Sequence, residues 1–361
     1  MQYSVCLAET LLRRYPDPDS YPYQSWSYPQ GFLLWGFIRL YEKTGERRYY
    51  DYVMRYCEEH VTPDGTVLGF TGISLDDVMS GSVLVWAYQQ TKQEKYRLAC
   101  AQVRRAFDDY PRNPDGGFWH SRDREGEMWV DGLFMGQMFL VRYGAYVDGS
   151  DRDFCFREAI RQLNLVFDRC EKDGSGLLYH AYSARPGTPW ANVVTGKSHE
   201  IWSEGLGWYA MILVDVLETI PRDYPGWESV HRQLSRLLAS LALVQDPCSG
   251  LWYQVVDKIH SPGNWHDSSG SAMFLYTFQK AALLGLCGKD EYGEVIRRGC
   301  EGLKTKCLMD PEGNLNVYDA CDGVCVQLDY ETYVRYVKNV NAKEAVAAAL
   351  WAFAAVELGA I

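Results

Sequence analysis

Five similar turn signals recur along the chain and constrain its fold more than any other feature. Each combines an aspartate with glycine or proline and leads into a short segment with aromatic or β-branched residues. The aspartates stand at positions 64, 115, 173, 246 and 310. This irregular period of about sixty residues indicates an array of similar structural units.

Between these turns the apolar residues follow helical spacing, with two helices in each interval. The predicted helices span 28–43, 46–60, 75–91, 93–109, 131–147, 151–170, 203–219, 226–244, 268–285, 289–306, 325–337 and 341–358. Six helical hairpins, each followed by a short β segment at one end, predict an all-α (α/α)6 barrel that forms a single domain over residues 1–361. An open α-solenoid is the alternative. The last helix favours closure, because a helix that is apolar on every side is buried on every side.

Charge and composition restrict the partners. The formal net charge of −11 argues against nucleic acid and anionic membranes. The longest apolar run, 345–356, is too short to span a bilayer. The first fifteen residues read as a short amphipathic helix and not as a signal peptide. Eleven scattered cysteines without a C-x-x-C pair are typical of reduced thiols, so we expect a cytoplasmic protein. The oligomeric state stays open.

The predicted topology gathers unusual residues at one end of the barrel. The odd-numbered helices run parallel, so their N-termini share one mouth, and the segments after the even-numbered helices emerge there as well. Caps, satisfied histidines and core packing could explain each residue singly, and close helix packing could explain Gly205 and Gly207. Caps alone do not explain histidine and tryptophan at the same end, so we expect a pocket. The residues placed at this mouth are Tyr28, Gln30, Asp76, Asp77, His120, Asp131, His180, Trp202, Glu204, Trp208, His266 and Asp267.

Asp131 stands at the head of an apolar stretch, residues 129–140, which reads W-V-D-G-L-F-M-G-Q-M-F-L. Apolar neighbours raise the pKa of a carboxyl, which suits a general acid that works near neutral pH. Asp131 is equally well placed to cap the helix, and a helix N-terminus lowers the pKa of a carboxyl. A role as acid therefore requires burial and a second carboxyl, Asp76, to outweigh the helix.

Other chemistries have little support in the sequence. The chain has no phosphate-binding loop, dinucleotide fingerprint, H-E-x-x-H helix or G-x-S-x-G elbow. The mouth carboxylates and histidines lack metal-ligand spacing within one helix. The 12 tryptophans and 26 tyrosines matter more, because the apolar faces of sugar rings stack on aromatic rings.

Eight sequence blocks together resemble glycoside hydrolase family 105, the unsaturated rhamnogalacturonyl hydrolases, and more distantly the unsaturated glucuronyl hydrolases of family 88. The resemblance runs from Trp26 to the C-terminal helix, and the block at Met128 is its most specific part. The blocks are W-S-Y-P-Q-G-F at Trp26, L-D-D-V-M-S-G at Leu75, G-G-F-W-H at Gly116, M-W-V-D-G-L-F-M-G at Met128, L-L-Y-H-A-Y at Leu177, W-S-E-G-L-G-W at Trp202, G-L-W-Y-Q-V-V-D at Gly250 and N-W-H-D-S-S-G-S-A-M-F at Asn264.

The resemblance implies an (α/α)6 barrel that takes a small unsaturated uronyl oligosaccharide derived from pectin. Such enzymes release the terminal 4,5-unsaturated uronic acid by hydrating its C4=C5 bond, without a metal or cofactor. Asp131 matches the catalytic acid and base, and Asp76 matches the second carboxylate. The matched pocket positions are Tyr28, His120, His180, Trp202 and Trp208.

Glu204 departs from the family pattern, which commonly reads W-x-R-G-x-G-W. A carboxylate in place of arginine repels a uronate by on the order of several kcal/mol if both charges are desolvated. Arg185 or Lys197 could supply the missing cation, Glu204 could bind a hydroxyl of a different unsaturated uronide, or the protein could be weak or inactive on the usual substrate. We expect the hydration to be kept and the substrate preference to be shifted.

Two other functions fit an aromatic mouth. A sugar epimerase or isomerase would use His120, His180 and His266 as proton carriers. A non-catalytic carbohydrate-binding protein would stack sugars on Trp202 and Trp208. The two carboxylates favour the hydrolase.

Overall fold

The computed structural model describes residues 1–22, 26–288 and 290–361. Within these residues the chain forms fourteen α-helices, a single 3-10 turn and two small antiparallel sheets. The helices are α1 (Tyr3–Arg14), α2 (Tyr28–Thr44), α3 (Arg47–His60), α4 (Asp76–Met79), α5 (Gly81–Thr91), α6 (Glu94–Arg105), α7 (Gly132–Tyr146), α8 (Arg152–Cys170), α9 (Ser203–Thr219), α10 (Trp227–Val244), α11 (Ser268–Leu283), α12 (Gly293–Lys306), α13 (Tyr330–Val334) and α14 (Lys343–Leu358). Strand β1 (Glu127–Trp129) pairs with β2 (Ala181–Ser183), and β3 (Cys307–Met309) pairs with β4 (Leu315–Val317).

The helices form two concentric layers, which confirms the predicted (α/α)6 barrel. The inner ring runs α2, α5, α7, α9, α11 and α14, and the packing of α14 against α2 closes it. The outer partners, in the same order, are α3, α6, α8, α10, α12 and α1. Inner helices such as α7 and α9 are buried around most of their circumference, whereas the outer helices bury one face and expose the other.

The sixth hairpin differs from the prediction. The segment 325–337 is helical only at α13, because its many polar and charged residues leave it no broad apolar face to bury. Helix α14 instead belongs to the inner ring, where its fully apolar surface is surrounded, and its outer partner is the N-terminal helix α1. The backbone N–H groups of Tyr3 and Ser4 donate to the Glu357 carboxylate at 2.8 and 2.9 Å, which joins the two ends of the chain. The N-terminus of α14 therefore lies at the mouth.

The other predicted helices agree with the structure apart from their ends. The predicted helix 75–91 is divided into α4 and α5 at Ser80, whose hydroxyl donates to the Ser27 carbonyl at 2.6 Å. The predicted helix 93–109 ends earlier, at Arg105, and the predicted helix 289–306 begins at Gly293. Position 289 itself lies outside the described residues.

The five turn signals form tight reversals after outer helices, as predicted. Val61 pairs with Val67, Arg112 with Phe118 and Glu171 with Leu178, while β3 and β4 enclose the last turn. At the fourth signal the backbone N–H of Asp246 donates to the carbonyl of Leu251 at 3.0 Å. Sheet β1–β2 then joins two of the mouth segments, because Trp129 lies directly opposite Ala181.

Aromatic rings and buried charges fill the barrel below the mouth. Phe32 contacts Trp208 at 4.5 Å and Trp351 at 4.8 Å between ring centroids. Beneath them, Asp215 accepts from Lys280 and lies 3.2 Å from Arg142. This rigid, fully buried centre gives the mouth a fixed floor. Within the described residues, no helix is both long enough and apolar enough to cross a membrane.

Candidate active site

The mouth of the barrel encloses a cavity of about 260 Å³. Seven of the twelve residues placed at the mouth from the sequence line it: Tyr28, Asp76, His120, Asp131, Trp202, Glu204 and Trp208. The remaining wall comes from Trp129, Met135 and two parts of the chain that the sequence did not indicate, namely the segment 322–325 and Lys343 at the start of α14. Parallel inner helices thus bring together residues that are far apart in the chain.

Two carboxyl groups flank the imidazole of His120. Asp76 is the first residue of α4, and its Oδ2 lies 3.7 Å from Nε2 of His120. Asp131 caps α7, accepts from the Gly132 N–H at 2.9 Å and lies 3.9 Å from His120 Nδ1. The side chains of Asp76 and Asp131 are only 31% and 15% exposed. Asp131 is therefore both a cap and a member of a half-buried carboxyl pair.

Burial raises the pKa of both carboxyls. The pKa of Asp76 rises to about 6, because burial and the nearby Asp131 outweigh the opposing effect of His120. Burial also raises the pKa of Asp131, and it outweighs both His120 and the Gly132 N–H, which lower it. Desolvation thus prevails over the helix N-terminus, and both carboxyls retain protons to higher pH than free aspartate does.

The chain around His120 explains how the imidazole enters this narrow space. Its backbone N–H donates to the Glu127 carbonyl at 2.7 Å, and its carbonyl accepts from the Leu75 N–H at 3.1 Å. Its ring stacks on Trp129 with centroids 4.3 Å apart. A Cβ at Gly132 would lie 3.1 Å from His120 Nδ1, so the glycine after Asp131 leaves the ring its room.

His180 lies beneath the cavity wall. Its ring centroid is 5.9 Å from that of Trp129 and 4.5 Å from that of Trp202. The Tyr333 hydroxyl accepts from the Gln327 N–H at 3.2 Å and is hydrogen-bonded to His180 Nδ1 at 2.6 Å. Burial lowers the pKa of His180 to about 3, so the ring is neutral and supports the two indoles.

Aromatic faces surround the remaining cavity. Trp208 packs on Phe32 and Phe134 with centroids 4.5 and 4.8 Å away, and Tyr28 meets Trp208 edge-on at 6.1 Å. Trp202 belongs to a separate apolar cluster with Trp265. Rings held in this way present rigid apolar surfaces to the C–H faces of a sugar.

Glu204 lies in a buried polar cluster at the cavity wall. Its Oε2 accepts from the Ser269 hydroxyl at 2.7 Å and from the Cys321 thiol at 3.3 Å. The adjacent Asp267 caps α11, which is the role that the helix-cap alternative gave it, and accepts from the Gly270 N–H at 2.9 Å. Burial and the nearby carboxylates Glu344 and Asp267 raise the pKa of Glu204 well above its usual range. The protonated form is therefore favoured, which reduces the repulsion expected for an anionic substrate.

The two cations considered from the sequence lie away from the cavity. The Arg185 side chain is 63% exposed beside Glu125, and the Lys197 ammonium donates to the Glu171 carbonyl. The cavity has Lys343 instead, which the sequence argument missed because it assigned α14 to the wrong layer. The signal that could have revealed it is the charged pair Lys343–Glu344 at the head of a wholly apolar helix.

The structure also shows where the remaining histidine and the two glycines of the G-L-G sequence lie. His266 pairs with Asp246 at 2.7 Å, away from the cavity lining. A Cβ at Gly207 would lie 2.6 Å from the Met273 sulfur, so this glycine serves close helix packing. A Cβ at Gly205 would lie 3.0 Å from the Trp202 ring. In the part of the chain that the structure describes, no group of three His, Cys, Asp or Glu side chains is placed to hold a metal ion.

Comparison with known proteins gives consistent matches. Residues 3–358 match the family model described as Glycosyl Hydrolase Family 88. Over 183 residues the chain is 34% identical to Protein Atu3128 of Agrobacterium fabrum, a match that covers 50% of this chain and 76% of that protein. Over 254 residues it is 23% identical to the unsaturated rhamnogalacturonyl hydrolase YesR of Bacillus subtilis, covering 69% and 68%. A solved family 105 glycoside hydrolase from C. acetobutylicum superimposes with a TM-score of 0.92 at 27% identity, over 99% of each chain. These matches confirm the resemblance seen in the sequence blocks.

Proposed function

Because the chain belongs to Glycosyl Hydrolase Family 88 and is a glycoside hydrolase, we propose that it releases a terminal 4,5-unsaturated uronic acid from pectin-derived oligosaccharides. The name of the relative YesR supports a rhamnogalacturonan-type substrate. The eleven cysteines are all free thiols, which supports a reducing, cytoplasmic location.

The observation that carries the proposal is the carboxyl pair around His120. The side chains of Asp131 and Asp76 are mostly buried in one sugar-sized cavity, and burial raises the pKa of both. A protonated carboxyl beside an ionised one supplies an acid and a negative charge at the same reacting centre. The walls of Trp202 and Trp208 then hold the ring that reacts.

The reaction begins with proton transfer from Asp131 to C4 of the unsaturated ring. The π electrons of the C4=C5 bond form the new C4–H bond, and positive charge spreads over C5 and the ring oxygen. The Asp131 carboxylate left by this transfer stabilises the charge, and Asp76 adds to the effect at pH values above its pKa of about 6. Water then adds its oxygen to C5 and gives a proton to the Asp131 carboxylate, which restores the acid.

The hydrated ring is a hemiketal, and it opens without a second catalytic acid. The bond from C5 to the ring oxygen breaks and leaves a ketone at C5. The former ring oxygen takes the proton of the C5 hydroxyl and remains on C1 as a hemiacetal hydroxyl. That proton passes to the aglycone oxygen as the bond from C1 to this oxygen breaks, which leaves an aldehyde at C1. One water is consumed, and the saturated sugar leaves with a free hydroxyl.

The experiment compares wild type, Asp131→Asn and Asp76→Asn on unsaturated galacturonyl and glucuronyl disaccharides, followed by the loss of ultraviolet absorbance of the conjugated acid. Asn keeps the helix cap of α7, so the Asp131 variant tests chemistry and not folding. We expect kcat to fall by about a thousandfold or more in Asp131→Asn, since both acid and base are lost. Asp153→Asn, which alters an exposed carboxylate on outer helix α8, is the matched control and should retain wild-type turnover.

Two results would contradict the proposed function, and two others would indicate the alternative functions. If wild type consumes no member of the panel, or if Asp131→Asn consumes it as fast as wild type, the proposed function is wrong. Solvent deuterium that enters a saturated sugar without loss of a double bond would indicate an epimerase. Calorimetric binding without turnover would indicate a binding protein.

A further inference from the structure

The charges that line the cavity are unbalanced for a substrate that carries a carboxylate. Asp76, Asp131, Glu204 and Asp322 contribute carboxyl groups, while Lys343 is the one lysine or arginine among the described residues of the lining. A uronate that enters this mouth therefore has a single ammonium available as counter-ion. The inference below rests on the proposed function, because it concerns the carboxylate of that substrate.

Lys343 is held firmly at the wall. Its Nζ lies 2.8 Å from Asp322 Oδ1 and 2.9 Å from Glu344 Oε1, and its side chain is 15% exposed. A third contact, to the Asp322 carbonyl, is 3.4 Å long and is therefore the weakest of the three, so it is the one that a ligand can replace. The neighbouring carboxylates raise the pKa of Lys343, so the group is charged at neutral pH.

The backbone beside Lys343 carries no side chain that would cover the ammonium. A Cβ on Gly323 would lie 3.4 Å from Lys343 Nζ, 3.3 Å from Glu344 Oε1 and 3.6 Å from the Tyr28 hydroxyl oxygen. These three polar atoms therefore converge beside a residue that has no side chain. Tyr28 donates to Glu344, whose Oε2 is buried and has no hydrogen-bond partner within the described residues.

The N-terminus of α14 adds to the attraction. This helix has sixteen residues, and Ala342 at its N-cap provides no side-chain hydrogen bond among the described residues. The first-turn N–H groups and the helix dipole favour an anion at this end. In the inner ring α14 stands three helices from α7 in either direction, so Lys343 and Asp131 face each other across the mouth.

We propose that Lys343, at the uncapped head of α14 beside Gly323, binds the carboxylate of the unsaturated uronate and thereby orients C4 toward Asp131. The carboxylate is carried on C5, next to the atom that receives the proton. Anchoring it at α14 turns the C4 side of the ring toward α7. Lys343 is thus a specificity-determining residue, and it selects for a free acid over a neutral ester.

The test measures KM and kcat on an unsaturated galacturonyl disaccharide and on its methyl ester. Wild type should prefer the acid by tenfold or more in KM. Lys343→Met should raise KM for the acid about ten- to hundredfold and should also lower kcat for the acid, because it loses a charge-assisted hydrogen bond that orients C4. Turnover of the ester should change little. Lys343→Arg should restore most of the preference.

The matched control is Lys95→Met on outer helix α6. That lysine is 16% exposed and lies 2.5 Å from Glu58, so it resembles Lys343 in burial and pairing but is remote from the mouth. If the two Met variants behave alike, or if Lys343→Met keeps the wild-type ratio of acid to ester, the inference is overturned. A purely structural role would weaken acid and ester equally.

The inference and the proposed function fail in different ways. If wild type turns over the acid but Lys343→Met retains the acid preference, only the inference is wrong. If wild type turns over neither compound, the proposed function is wrong. Calorimetry with the same acid and ester on the same proteins then still decides on Lys343: loss of selective acid binding in Lys343→Met supports the role, and unchanged selectivity contradicts it.

Discussion

Replacing Asp76 with Asn should make the protein more stable at neutral and alkaline pH while it damages activity. In the folded protein the pKa of Asp76 is raised to about 6, whereas an unfolded aspartate titrates near 3.9. A carboxyl with a raised folded pKa contributes its full stability below the unfolded value, and loses it as pH rises through about 6. Above that pH the folded wild type carries a poorly solvated charge that the amide lacks.

The size of the effect follows from the shift and the exposure. Two pKa units correspond to about 2.7 kcal/mol, and solvent screening of a side chain that is 31% exposed reduces this to about 1–2 kcal/mol. Urea unfolding followed by tryptophan fluorescence at about pH 4 and about pH 8 measures it. Asp76→Asn should match wild type closely at the lower pH and exceed it by about 1–2 kcal/mol at the higher pH.

Two results would refute this reasoning. A stability difference that stays the same at both pH values would mean that folding does not shift the titration of Asp76. A wild type that is the more stable protein at about pH 8 would reverse the sign. Asp131→Asn serves as the companion variant, because burial raises the pKa of Asp131 as well and Asn preserves the cap of α7. It should gain stability in the same direction.

Three further variants test other parts of the structure. His120→Gln removes the group that lowers the pKa of Asp76 and Asp131, so the alkaline limb of the kcat/KM profile should move to higher pH; a limb that stays in place or moves lower would contradict this. Lys280→Met leaves the buried Asp215 short of a partner and should cost about 3–5 kcal/mol in urea unfolding, and a loss below about 1 kcal/mol would show the cluster to be dispensable. Gly132→Ala places a methyl 3.1 Å from His120 Nδ1 and should lower kcat/KM about tenfold, although alanine favours the helix by up to about 1 kcal/mol; unchanged kinetics would show that the ring has room to spare.

Local sequence patterns were sufficient to predict most of the helices and much of the candidate site. Helical periodicity located α2, α3 and α7 through α11 to within about two residues, because each carries a continuous apolar face or circumference. Parallel inner helices then placed Asp76, Asp131 and Glu204 at one mouth, since the N-termini of such helices share one end. The turn signals located the connections for the same local reason.

The features that could not be predicted from the sequence depend on contacts between residues that are far apart in the chain. Whether α14 lies inside or outside the ring is decided by its pairing with α1, and that pairing joins Ser4 to Glu357 across the length of the chain. Because the inner position reverses the direction expected for α14, the sequence could not place Lys343 at the mouth. The raised pKa of Glu204 likewise depends on burial and on Glu344 and Asp267, which approach it only in the folded barrel.

The central claim is that Asp131 catalyses the hydration of the C4=C5 double bond and not the direct hydrolysis of the glycosidic bond. Proton NMR of an unsaturated galacturonyl–rhamnose disaccharide with wild-type enzyme tests it in one experiment, by following the vinyl proton on C4 together with the release of rhamnose. The account predicts that the vinyl signal is lost at least as fast as rhamnose appears, and that neither changes with Asp131→Asn. Release of rhamnose alongside a free sugar that still carries its C4=C5 bond would contradict it.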